Sequence, residues 1–92
     1  MNRTFKATRI SEDNIIFPPT IIFSDKGVTI KMPSLFHHYT KFFPYEAISV
    51  SIHCPLVGFS SITFFAYGRE IYVHGFYKKE VMEMKRIIEE KI

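Results

Sequence analysis

The reactive side chains of this sequence are few: a His37-His38 pair, a His53-Cys54 pair, His74, and Ser49 and Ser51 just ahead of His53. Imidazole beside thiolate suggests a zinc site, and serine near histidine suggests nucleophilic catalysis. In an extended chain adjacent side chains point to opposite faces, so neither pair converges on one ion at about 2.0–2.3 Å. His53 and His74 share the polar phase of their segments, but an intervening strand would hold them two strand spacings, roughly 9.5 Å, apart. The histidines therefore read as surface or partly buried residues. Cys54, on the apolar phase, reads as a small core residue.

A serine nucleophile needs a base that a third group orients. Ser49 and Ser51 have His53 in phase, but the carboxylates fall elsewhere: Glu12, Asp13, Asp25, Glu46 and Glu70 in loops, and Glu80, Glu83, Glu89 and Glu90 on a C-terminal helix. No carboxylate pair for acid–base work stands out. Gly27, Gly58, Gly68 and Gly75 are isolated turn residues, which leaves no phosphate-cradling loop. The residues point to no catalytic group, metal site, cofactor or small-molecule substrate, and a non-enzymatic protein is expected.

The elements that carry these residues follow from periodicity. In "AISVSIHCP" Ile48, Val50, Ile52 and Cys54 alternate with Ser49, Ser51 and His53, the pattern of a half-buried strand. "SSITFFAYG" places Ile62, Phe64 and Ala66 in one phase, and "REIYVHGF" places Ile71 and Val73 in one phase with Tyr72 and His74 in the other. Gly68 and Arg69 read as the hairpin connection, and the three runs as an antiparallel meander. Upstream, "SDKG" is a turn signal ahead of Val28, Ile30 and Met32. "RTFKATRI", "TIIFS" and "HHYTKFF" are weaker strands, and Pro18-Pro19 must bend the second run. Phe42 and Phe43 are adjacent, so a bulge or an exposed ring is implied. About seven strands result.

From Tyr77 onward the period changes. Tyr77, Val81, Met84, Ile88 and Ile92 recur at steps of three or four and define one face of an amphipathic helix. Lys79 with Glu83 and Lys85 with Glu89 are spaced for ion pairs worth a few tenths of a kcal/mol each.

The 92 residues suit a single domain, residues 1–92, with a thin core. Ten Phe and five Tyr offset that, since each buried aromatic removes roughly 150–250 Å² from water. The net charge is +3 without a basic block: six basic and four acidic residues lie in residues 1–47, six and five in residues 48–92. Nucleic acid is not an expected partner, because its binders concentrate Lys and Arg on one face. A lone cysteine, an N-terminus without an apolar leader segment and no run of about 18 apolar residues make the cytoplasm the expected compartment.

The run "GVTIKMPSLFHHYTKFFPYEAISVSI" resembles the bacterial pleckstrin-homology (PH) domains, in which a glycine-led strand, a loop, a strand, an "aromatic or Ile, Pro, Tyr, acidic, x, Ile" corner and another strand follow one another. Phe43, Pro44, Tyr45, Glu46, Ala47 and Ile48 stand in that corner. "IYVHGFYKKEVMEMKRII" is similar to the closing strand, Gly-Phe junction and terminal helix of the family. The resemblance covers about 60 residues and implies a PH-like fold, mainly β: a seven-stranded antiparallel barrel or sandwich capped by the helix. It also implies homo-oligomers in some members. Related eukaryotic domains bind phosphoinositides through basic residues around the first hairpin. Here only Lys6 and Arg9 precede the "SEDN" turn, and Glu12 and Asp13 oppose them.

The aromatic excess is the remaining signal. Phe65 and Tyr67 lie out of phase with Ile62, Phe64 and Ala66, and Leu35, Phe36 and Phe59 fall in loops. These five define an expected interaction surface for a second copy of the chain or another protein, with a sheet edge as a further docking route. The alternative partner is a membrane surface, with Phe36 inserting while His37, His38 and Lys41 meet anionic headgroups.

Overall fold

The structure, a computed structural model, describes residues 2–7, 19–32 and 39–91. Within them the strands are β1 (Arg3–Lys6), β2 (Thr20–Phe23), β3 (Gly27–Met32), β4 (Tyr39–Pro44), β5 (Ser49–His53), β6 (Ser60–Ala66) and β7 (Arg69–Phe76). A 3₁₀ turn (Tyr45–Ala47) separates β4 from β5, and the helix α1 (Lys78–Lys91) closes the chain. The strands form two antiparallel sheets in chain order, β1-β2-β3-β4 and β5-β6-β7. The expected mainly-β architecture with one C-terminal helix is present. Among the described residues the two ladders do not join, so the barrel that the sequence suggested is not closed.

Alternation decides which face of each strand is buried. Ile21 and Phe23 on β2, Val28 and Ile30 on β3, and Ile62, Phe64 and Ala66 on β6 are buried together with Val81, Met84 and Ile88 of α1 in one core cluster. Their neighbours Thr29, Lys31, Ser49, Ser51 and His53 remain half-buried or exposed on the opposite faces. The helix lays its apolar stripe against β5, β6 and the 3₁₀ turn. An amphipathic helix of this length gains most of its stability from such packing rather than from intrinsic propensity.

Two glycines shape the sheets. Gly75 has φ +110° at a register shift where Ser60 pairs with Phe76 and Ser61 with His74. The extra residue reverses the phase of β7, so that Val73 and Phe76, three apart, both reach the core. At Gly27, a Cβ would sit 2.3 Å from the carbonyl oxygen of Phe43 and 2.7 Å from Cζ of Phe42. The Phe42 ring covers this bare backbone from outside. The adjacent phenylalanines are thus accommodated without a bulge: Phe43 is 4% exposed and Phe42 51%.

Contacts between residues distant in the chain fasten the elements. The Tyr45 hydroxyl donates to the Ser24 carbonyl at 2.5 Å, tying the 3₁₀ turn to the β2–β3 connection, and burial raises its pKa, assisted by the charge of Asp25. Glu83 on α1 accepts from Arg86 Nε at 2.6 Å and Nη2 at 2.7 Å, and from Arg3 Nη1 on β1 at 2.9 Å. Arg86 also pairs with Glu90. Hydrogen bonds from Arg86 and then from Arg3 hold the Glu83 carboxyl at a pKa of about 2. Lys85 meets Glu89 at 3.7 Å as its spacing suggested, whereas Glu83 is engaged by the two arginines rather than by Lys79.

Candidate interaction surfaces

One face of the second sheet is arranged in rows set by its register, exposed along β5 and half-buried or buried along β6, where Ser61 is 2% exposed. His53, Ser61 and His74 form one row, Ser51, Thr63 and Tyr72 the next, and Ser49, Phe65 and Glu70 the third. His53 and His74 therefore flank β6 at the two-strand separation that the sequence implied. The Tyr72 and His74 rings stack at 6.2 Å, with the hydroxyl 3.4 Å from Nδ1. Glu70, read from sequence as a loop residue, lies on β7 opposite Phe65, two strands from Ser49. Among the described residues, no three His, Cys, Asp or Glu side chains come together to hold a metal ion.

At one end of β6 the chain reverses through Tyr67 and Gly68, between the paired residues Ala66 and Arg69. The two turn residues have φ +53° and +75°, the positive values that a two-residue hairpin of type I′ requires. The connection is therefore Tyr67-Gly68 rather than Gly68-Arg69. This displaces Tyr67 from β6 onto the turn, where it is 72% exposed. Its ring lies 6.0 Å from that of Phe43, tilted by 39°. Ala47, the half-buried Phe65, Arg69 and Glu70 line a shallow depression beside it. For a tyrosine this backbone conformation is unusual, since turns of this type favour Asn, Asp or Gly.

The opposite end of β6, about 20 Å away at the usual rise per strand residue, carries a second apolar group. The β5–β6 connection contains "PLVG", in which Leu56 is fully exposed and Val57 is 88% exposed. Phe59, leading back into β6, packs its ring 5.7 Å from Tyr77. Tyr77, Lys78, Lys79 and Met82 line a shallow depression at the start of α1. At the start of the helix the Tyr77 amide donates to Glu80 Oε1 at 2.8 Å, the reach-back half of a capping box.

The five residues expected to form one interaction surface are thus distributed. Phe65 and Tyr67 meet at the β6–β7 end, whereas Phe59 belongs to the other. Leu35 and Phe36 lie outside the described residues, as do His37 and His38 of the alternative lipid contact. Lys41 is exposed on β4 opposite Ile30, in the phase of the buried residues. Sequence periodicity missed Leu56, Met82 and Tyr77 as exposed apolar groups. The signal for the first was present: an aliphatic pair between a proline and a glycine is too short to belong to either strand.

No family model, curated protein or solved structure matches this chain significantly. No described helix is long and apolar enough to cross a membrane.

Proposed function

We propose that this chain is a non-enzymatic, PH-like interaction module that self-associates or binds a protein partner through the β6–β7 end. The architecture is supported by the order of four strands, corner, three strands and helix, which is the order that the resemblance implies. The free thiol of Cys54 suits a cytoplasmic setting. The carrying observation is Tyr67. A bulky aromatic occupies a left-handed turn position where Asn or Gly would fold more favourably, and its ring is left largely in solvent beside the half-buried Phe65. A side chain that costs folding energy where it stands is a candidate for use in docking. Among the described residues the outer strands of both sheets are paired on one side only, which extends the same reading, since an edge accepts an extended peptide by strand addition.

Sedimentation equilibrium over a wide concentration range tests the self-association arm: a reversible oligomer is expected, weakened in a Tyr67→Asn variant. For the partner arm, affinity capture should recover a protein with the wild type that the variant loses. A chain that stays monomeric and captures the same proteins with and without the Tyr67 ring would remove this reading.

A further inference from the structure

The β5–β6 tip presents two aliphatic side chains, Leu56 at 105% and Val57 at 88% exposure, that no described residue covers. Cys54 and Pro55 at its base are half-buried, Leu56, Val57 and Gly58 are exposed, and a Cβ at Gly58 would meet no atom within 4 Å. The Phe59–Tyr77 ring contact joins this connection to the start of α1, where Lys78 and Lys79 are exposed and Met82 is half-exposed. The one carboxylate in that helical turn, Glu80, is directed back to the Tyr77 amide, and Glu83 one turn later is held by Arg86 and Arg3.

We infer that this end of the molecule is a peripheral membrane contact, with Leu56 and Val57 entering the acyl boundary of an anionic bilayer while Lys78 and Lys79 meet its headgroups. Charge argues for lipid here: two exposed aliphatic side chains on the loop and two exposed lysines at the start of α1 combine apolar surface with positive charge, the pairing that an anionic bilayer takes up. A bilayer needs no complementary pocket and accepts an exposed apolar loop, and lysines on the helix start that the Phe59–Tyr77 contact joins to that loop add attraction to anionic lipid within a Debye length. The inference is independent of the Tyr67 reading, which concerns the other end of β6, and it differs from the lipid contact expected from sequence at Phe36, His37, His38 and Lys41.

The test is co-sedimentation of the full chain with vesicles of phosphatidylcholine alone and of equal parts phosphatidylcholine and phosphatidylglycerol. The wild type should bind the mixed vesicles more tightly, and less so as salt rises. Leu56→Ser with Val57→Ser should lower partitioning about tenfold or more on the mixed vesicles, with an unchanged circular-dichroism spectrum because both positions are exposed. Lys78→Gln with Lys79→Gln should remove the preference for anionic lipid and flatten the salt dependence. Wild-type partitioning by the Leu56/Val57 variant, or no binding to the mixed vesicles by the wild type, would overturn the inference. So would a lipid-free oligomer that the same variant abolishes, since the tip would then be a protein contact.

Discussion

Replacing Tyr67 by Asn and, separately, by Ala isolates the energetic oddity of the β6–β7 turn. Tyr67 has φ +53°, a left-handed conformation that costs an ordinary L-residue roughly 1–2 kcal/mol. Asn tolerates it better because its short side chain bonds locally, whereas Ala retains the Cβ and gains nothing. Both substitutions delete the same ring contact with Phe43, 6.0 Å between centroids, worth about 0.5 kcal/mol for so exposed a ring. That contribution cancels when the two variants are compared. The Asn variant should therefore exceed the Ala variant by about 0.5–1 kcal/mol, a gap of about 2–8 °C in Tm for a domain of this size. Against the wild type, strain relief and contact loss nearly offset one another for Asn, while Ala should melt lower. Thermal unfolding followed by circular dichroism and calorimetry reads both. If Ala equals or outranks Asn, the turn is not strained at Tyr67, and the functional argument built on that strain falls with it.

Two further perturbations probe how the elements are fastened. The Glu83 carboxyl is held at about 2 rather than 4.5, so its contribution to stability is complete above pH 4.5 and is lost as pH falls toward 2. Glu83→Gln should flatten the acid limb of a urea-denaturation series in that window; a wild-type acid limb in the variant would show that the arginine contacts do not stabilise the fold. Gly27→Ala would drive a Cβ to 2.3 Å from the Phe43 carbonyl. Separation of β3 from β4 should cost about 2–3 kcal/mol in chemical denaturation, and a neutral result would mean that the strands approach less closely.

The periodicity of the chain was a reliable guide wherever neighbours in sequence decide the outcome. Val28 and Ile30, or Val81, Met84 and Ile88, fall on one face because strand and helix geometry repeat every 2 and roughly 3.6 residues. Their burial in one core agrees with that reading. Boundaries were less legible. Tyr67 and Gly68 share a turn whose type depends on the register of Ala66 with Arg69, and Phe76 reaches the core because a bulge at Gly75 reverses the alternation. Neither register nor bulge is visible in the pattern of apolar residues alone. The expected interaction surface was divided for the same reason: Phe59 and Tyr67 are eight residues apart, yet a strand of seven residues, Ser60–Ala66, holds them at opposite ends.

Local stereochemistry sets side-chain direction, so the order of residues alone requires extended segments with one apolar face before Tyr77 and an amphipathic helix after it. Long-range packing brought Arg3 to Glu83 and Tyr45 to Ser24, and it left Leu56 and Val57 exposed. Those outcomes depend on which distant surfaces pack together, and no local repeat encodes the distance between them.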